Sequence, residues 1–339
     1  MAEHGRPPAA ARRRGSGARR GVGGGDAGAA GPAASWALQE HRLVFRRPVA
    51  GAEREGDGWV LRWRAAALMG IVNVTPDSFS DGGRFAGDPA AAVEAGLELW
   101  RDGAAFVDVG GESSRPGAES VSEDEELRRV LPVVAGLAER GVRVSIDTVK
   151  PAVAGEAVRG GACLVNDVRG LADPAMRAVC ADAGVPAVVM HMQGQPRTMQ
   201  RSPRYRDVVG EVERALLERA RLARTDGVPS VLVDPGIGFG KTVEHNLALL
   251  ASTRRLAGHG LPLLVGASRK RMIARLAAVD GEPLEPGRRL PGSLALHLYA
   301  AERGAALLRV HDVAEHRQAL AVLTALEEAG APEAGVRRG

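Results

Sequence analysis

Aromatic residues are scarce in this 339-residue chain: four Trp, two Tyr and five Phe make up 3% of it. The hydrophobic fraction is still 45%, so the core must be built from Val, Leu, Ala and Ile, which suits stacked strands and helices. Cysteine is scarcer. Cys163 and Cys180 sit singly in apolar patterns. Two thiols are too few for a zinc site, and their surroundings mark them as small core residues in a reducing cytosol. Also missing are an apolar run long enough to span a membrane and a hydrophobic segment of the signal-peptide kind. Most of the chain lacks net charge as well. The formal +4 resides in residues 1–30, where Arg6, Arg12, Arg13, Arg14, Arg19 and Arg20 outnumber Glu3 and Asp26, and the rest carries 39 basic and 39 acidic residues. That distribution argues against a nucleic-acid partner.

Residues 1–35, rich in Arg, Gly and Ala, are expected to form a disordered tail, because they have no periodicity and little apolar surface. Residues 36–65 are expected to form an N-terminal hairpin: Arg42–Val49 and Trp59–Arg64 alternate loosely around Gly-rich residues 51–58, and this segment caps the bottom of the larger domain beyond it. From Leu68 one rhythm repeats, a short apolar strand, a loop and an amphipathic helix. Strands are expected at 68–74, 105–110, 142–147, 163–168, 186–191, 230–234, 262–267 and 306–311, with the clearest helices at Val208–Ala223 and Val243–Leu256. A break at Gly281–Pro291 reads as an insertion after the seventh strand. Eight strand and helix units predict an α/β fold, a single (β/α)8 TIM barrel over residues 66–328, followed by a tail at 329–339.

An open doubly wound sheet shares this alternation, but the strand ends favour the barrel. Polar residues fall at or just past the C-terminal end of strand after strand, where a barrel gathers its catalytic groups: Asn73, then Glu112, Ser114 and Arg115, Asp147, Asn166 and Asp167, His191, Asp234, Ser268 to Lys270, and Arg309 to Asp312. Asp147, Asn166 and Asp234 each break an apolar run. Burying such a group without a partner costs on the order of several kcal/mol, so each must meet a hydrogen-bonding group. A flat heterocycle with N–H donors and ring acceptors satisfies all three. Arg115, Lys270, Arg309 and His311 suit an anion such as a diphosphate. Gly236-Ile237-Gly238-Phe239-Gly240-Lys241-Thr242 offers backbone amides to that anion. Its spacing fails the Gly-x-x-x-x-Gly-Lys-Ser/Thr rule of a phosphate loop, which excludes an ATPase reading. Asn73 beside this charge suits Mg²⁺, which prefers oxygen ligands. His191 reads equally as a hydrogen-bonded wall, and His245 and Asn246 as part of a helix start.

These motifs, in this order, resemble the dihydropteroate synthase family across residues 66–325. The resemblance rests on Asn73 to Gly83, Gly110 to Ala118, Ser145-Ile146-Asp147-Thr148, Asn166-Asp167-Val168, Met190 to Gly194, Asp234 to Thr242, Ser268-Arg269-Lys270 and Arg309-Val310-His311-Asp312. It implies a barrel transferase of folate synthesis. Such an enzyme joins 6-hydroxymethyl-7,8-dihydropterin diphosphate to 4-aminobenzoate, releases diphosphate, uses Mg²⁺, is a sulfonamide target and works as a cytoplasmic homodimer. It further implies that Asp147, Asn166, Asp234 and Lys270 hold the pterin, that Asn73 meets Mg²⁺, and that Arg309 and His311 bind the diphosphate. Ser114, Arg115, Pro116, Phe79, Phe239 and Lys270 shape the aminobenzoate site, with Ser268 adjoining. Lys270, Arg115, Asp147, Arg309 and His311 are the implied catalytic set. The family commonly has Thr where Ser114 stands, and the hydroxyl is retained. A pterin-binding methyltransferase of the same superfamily would share the Asp and Asn pocket but has no evident use for the 73–83 loop or for Ser268-Arg269-Lys270.

Overall fold

The computed structural model describes residues 35–75, 88–113, 120–195 and 197–330. The expected tail at 1–35 and the C-terminal tail fall almost wholly outside them. A short 3-10 turn, Trp36–Leu38, leads into a three-stranded antiparallel sheet of β1 (Glu40–Phe45), β2 (Glu53–Glu55) and β3 (Gly58–Arg64), in the order β1-β3-β2. The hairpin is therefore joined by a third short strand drawn from the Gly-rich connection.

The remaining strands are β4 (Ala67–Asn73), β5 (Phe106–Gly110), β6 (Val144–Asp147), β7 (Leu164–Asp167), β8 (Ala187–Met190), β9 (Val231–Asp234), β10 (Leu264–Val265) and β11 (Leu307–Val310). They form one parallel sheet in the order β10-β11-β4-β5-β6-β7-β8-β9. A parallel bridge between Val233 and Leu263, with the Val233 amide 3.0 Å from the Pro262 carbonyl oxygen, joins β9 to the segment before β10 and closes the barrel. All eight expected strands are present: the first keeps its length but starts one residue earlier, the others are trimmed at one or both ends, and the seventh is cut to two residues.

Around the barrel lie α1 (Pro89–Arg101), α2 (Glu123–Ala138), α3 (Pro151–Arg159), α4 (Pro174–Ala183) and α5 (Val208–Thr225). They are followed by α6 (Val243–Ala251), α7 (Thr253–Ala257), α8 (Arg271–Leu276), α9 (Leu290–Glu302) and α10 (Val313–Gly330). Local chemistry fixes several starts. Asp207 accepts from the Gly210 amide at the head of α5, while Glu211 reaches back to the amides of Arg206 and Asp207. Two expectations need correction. The helix expected over Val243–Leu256 is broken at Ser252 into α6 and α7. Pro291 lies in the first turn of α9, where its missing N–H costs nothing, so the insertion ends earlier than expected. Among the described residues, no helix is long and apolar enough to cross a membrane.

Alternation along the strands sorts side chains into two buried layers. Val107, Val109, Val144, Ile146, Val165, Val189 and Val233 face the helices. Met69, Phe106, Leu164, Val188, Leu232, Leu264 and Leu307 point into the barrel, where Leu43, Phe45 and Leu61 of the antiparallel sheet close them from below. Apolar filling thus occupies the lower barrel. On β5, β7, β9 and β11 the next inward positions are Asp108, Asn166, Asp234 and Arg309, so on these four strands the interior turns polar one step toward the C-terminal ends.

Candidate active site

The strand register builds the mouth. Asn73 is the register partner of Gly110, Gly110 of Asp147, and Asp147 of Asn166, so three polar side chains and one glycine share a row across β4 to β7. Gly110 contributes no side chain, which leaves room between Asn73 and Asp147. Asp234 ends β9. The loops after β10 and β11 bring Ser268, Lys270 and His311. Asn73, Asp147, Asn166, Asp234, Phe239, Ser268, Lys270, Arg309 and His311 all line a single cleft of about 620 Å³. Phe79, Ser114, Arg115 and Pro116 lie outside the described residues.

At the base of the cleft is a polar cluster that pattern alone did not foretell. Arg309 reaches across the barrel, its Nε 2.6 Å from Asp108 Oδ2 and its Nη2 2.8 Å from Asp147 Oδ2. Asn166 Nδ2 donates to the same Asp108 oxygen at 3.0 Å. Arg309 therefore stands among the acids, where the sequence pattern placed it wholly in the anion half. Asp147 and Asn166 already find partners inside the protein, so a ligand supplements these contacts and is not the sole answer to their burial. Burial opposes the Arg309 charge, yet Asp108 and Asp147 outweigh it and raise its pKa. The Asp147 carboxyl is pushed up by burial, against the pull of Arg309 and with the push of Asp108 and Glu126.

Asp108 is the main residue missed. It is fully buried in the run Phe106-Val107-Asp108-Val109-Gly110. A carboxylate in mid-strand was the available signal, the same one that marked Asp147.

Asp234 accepts the Gly236 amide on Oδ1 at 2.7 Å, and burial pushes its carboxyl up while that amide and Lys270 pull it back. The Gly238 amide goes to Asn246 Oδ1 at 2.8 Å. These two amides of the glycine string thus serve protein side chains and not an anion, contrary to expectation. Gly236 is held at φ +68°, where a Cβ would lie 1.9 Å from the His191 carbonyl oxygen, and Gly240 at φ +62°, 2.2 Å from that of Gln193. The glycines let this loop lie directly on the backbone after β8.

Lys241, also missed, is buried and hydrogen-bonds the carbonyls of His191 and Phe239 at 3.1 and 3.0 Å. Burial pushes its amine down to about 7. Its Nζ lies 3.1 Å from His191 Nδ1, and His191, lowered to about 3 by burial and by Lys241, is a neutral wall. His245 caps α6 in a capping box with Thr242, whereas Asn246 reaches from α6 into the glycine loop.

On the opposite wall Lys270 Nζ lies 4.3 Å from the centre of the Phe239 ring, a cation–π contact. Ser268 Oγ is 2.9 Å from His311 Nδ1, and Arg269 forms a bidentate pair with Asp312. At the edge, Lys150 bridges Glu112 and the buried Glu126. Asp167 accepts the amides of Arg169 and Leu171 at 2.7 and 2.9 Å, which ties down its own loop. Among the described residues, no three of His, Cys, Asp or Glu are grouped to hold a metal ion.

A closed parallel barrel with acids, an amide and cations converging at its C-terminal mouth defines a ligand-binding barrel enzyme. The family profile described as pterin binding enzyme matches residues 69–311. The chain is 47% identical over 261 residues to the dihydropteroate synthase of Escherichia coli (strain K12), covering 76% of this chain and 90% of that one. Dihydropteroate synthase from Thermus thermophilus in complex with 4-aminobenzoate superposes with a TM-score of 0.73 at 44% identity, covering 84% of this chain and 100% of that one. The Xanthomonas albilineans enzyme in complex with 7,8-dihydropteroate gives 0.68 at 45% identity, covering 78% and 94%. The chain belongs to the pterin-binding enzyme family, and within it to the dihydropteroate synthases.

Proposed function

We infer that the protein condenses 6-hydroxymethyl-7,8-dihydropterin diphosphate with 4-aminobenzoate, giving 7,8-dihydropteroate and diphosphate. The observation that carries this reading is one cleft in which Asp147, Asn166 and Asp234 face Lys270, Arg309 and His311, in a chain of the dihydropteroate synthase family. Asp147, Asn166 and Asp234 hold the pterin by its ring N–H and amino groups. Lys270 lies between the pterin and the aminobenzoate, and Phe239 gives the aminobenzoate ring an apolar wall. Ser268 and His311 meet the diphosphate. Arg309 links the two halves: it neutralises Asp108 and Asp147 below the pterin and lends its charge to the leaving group. Phe79, Ser114, Arg115 and Pro116 complete the aminobenzoate side.

In the reaction the bond from the pterin methylene carbon to the diphosphate oxygen breaks, and that carbon bonds to the aminobenzoate nitrogen. The surplus proton on that nitrogen leaves to water, so no strong base is needed. Charge building on the departing oxygens is met by Arg309, Lys270 and His311. The acids below stabilise the electron-poor pterin, and exclusion of water protects the methylene from hydrolysis. Asn73 is the protein oxygen donor for Mg²⁺. Its amide oxygen, in the row with Gly110 and Asp147 at the mouth of the cleft, would suit such a hard cation. When bound, the ion withdraws charge from the diphosphate.

The folding unit is the barrel of residues 66–328 with residues 36–65 as its cap, and the active form is a cytoplasmic homodimer. Supplying purified protein with both substrates and Mg²⁺ should release diphosphate in step with dihydropteroate. Absence of release, or failure to rescue a strain lacking dihydropteroate synthase, would reject the reading.

A further inference from the structure

Behind the cleft, α9 and α10 lie side by side and each contributes one buried histidine, His297 with no exposed surface and His316 with 1%. Neither lines the cleft. The Ala267 amide donates to His297 Nε2 at 3.0 Å, His297 Nδ1 lies 2.8 Å from His316 Nε2, and His316 Nδ1 lies 2.6 Å from the Asp312 carbonyl oxygen. Both ends of this chain are backbone groups with fixed roles: an N–H can only donate and a carbonyl can only accept. His297 must therefore carry its lone pair on Nε2 and its proton on Nδ1. That proton points at the lone pair of His316 Nε2, and His316 gives its own Nδ1 proton to Asp312. An extra proton on either Nε2 would confront another N–H, so the chain holds only with both rings neutral. Burial lowers the pKa of both, overriding on His316 the pull of Asp312, of Glu315 and of the Ser293 backbone.

The two ends matter because of what adjoins them. Ala267 immediately precedes Ser268, Arg269 and Lys270, and Asp312 immediately follows His311. Arg269 sits at φ +55°, an unfavourable left-handed conformation for a non-glycine residue, and must be held there. Its amide donates to Ser293 Oγ of α9 at 2.9 Å. The pair of Arg269 with Asp312 and the contact of Ser268 with His311 join the same two loops from the cleft side. The histidine chain joins them from behind.

We propose that His297 and His316 are positioning residues which fix the spacing of Lys270 and His311 through a backbone-to-backbone hydrogen-bond chain. The proposal rests on the assignment of Lys270 to the two organic substrates and of His311 to the diphosphate. Loosening the chain spoils their relative placement in the transition state more than it weakens either substrate alone, so kcat falls and KM changes little.

Two measurements on the full chain test it. Long-range ¹H–¹⁵N correlation of histidine-labelled protein at neutral pH should show both rings as neutral Nδ1–H tautomers, with signals assigned by loss in H297Q and H316Q. An Nε2–H tautomer or a charged ring at either position overturns the proposal without recourse to activity. In the diphosphate-release assay, H316L should lose about tenfold or more in kcat with each KM within about threefold. H316Q, whose amide both accepts and donates, should stay within about threefold of wild type in kcat. An active wild-type enzyme whose H316L variant keeps its kcat overturns the positioning role alone, whereas a wild-type protein that makes no dihydropteroate overturns the functional reading and this proposal with it. If H316L does not fold, the tautomer result and the kcat of H297L, expected to fall because its side chain can neither accept from Ala267 nor donate to His316, decide the matter.

Discussion

Arg309 Nε donates to Asp108 at 2.6 Å although 201 residues separate them in the chain. The contact places a fully buried carboxylate directly beneath the cation that we assign to the leaving group. Removing one partner of a buried pair costs about 3–5 kcal/mol, and with Asp147 still facing Arg309 the lower end of that range applies. Asp108→Ala should lower stability by about that amount in urea denaturation and reduce kcat/KM for the pterin diphosphate about 100-fold. Asp108→Asn, which keeps the shape and one acceptor, should fall between. An Asp108→Ala protein with a wild-type urea midpoint would show that Arg309 does not depend on this carboxylate.

Lys270 is assigned to both organic substrates, and its Nζ is held 4.3 Å from the Phe239 ring centre. Removing one charged donor from a preorganised site typically costs on the order of a hundred- to a thousandfold in rate. Lys270→Ala should lose about a thousandfold in dihydropteroate formation, with little change in thermal midpoint. Near-normal turnover in that variant would displace Lys270 from the centre of the site.

His41 lies in β1, remote from the cleft, and burial pushes its imidazole down to about 4 from an ordinary value of 6.5. Between those two values the unfolded chain binds more protons at this position than the folded one, so stability rises with pH across the window. The contribution is complete above 6.5 and is lost as the pH falls toward 4. His41→Leu should flatten the pH dependence of the urea midpoint between pH 6.5 and 4. His191, His297 and His316 are lowered too, so part of the slope will remain. Identical slopes in variant and wild type would contradict the assignment.

At Gly236 a methyl group would meet the His191 carbonyl oxygen at 1.9 Å, on a backbone already at φ +68°. Neither the backbone after β8 nor the turn after β9 can yield without moving Asp234. Gly236→Ala should cost about 3 kcal/mol or more, which for a chain of this size is a fall of about 4 °C or more in thermal midpoint. Differential scanning calorimetry checks it, and a shift under about 1 °C would refute it.

The eight strands were legible because parallel strands covered on both faces read as short apolar runs. Their ends were not, since the carbonyls that terminate a strand are claimed by loop amides that only tertiary structure supplies. β10 illustrates this: Gly266 and Ser268 already serve the cleft, and only Leu264 and Val265 keep regular pairing. In the site, Asp147, Asn166 and Asp234 announced themselves by interrupting apolar runs. Lys241 did not, because a lysine after a glycine string looks like a surface residue until His191 and Phe239 are folded over it. The double role of Arg309 was equally hidden, since its two acids come from β5 and β6, two and three strands away around the barrel.

The barrel is closed between β9 and β10 by a lone bridge at Val233 and Leu263. Asp234 stands on one side of this seam, and Ser268 and Lys270 on the other. A ligand gripped by both sides acts as a clasp across the least reinforced join in the wall. Protection of the 263–266 amides from hydrogen exchange should therefore rise on substrate binding, and the barrel's own circumference becomes a gauge of whether the cleft is filled.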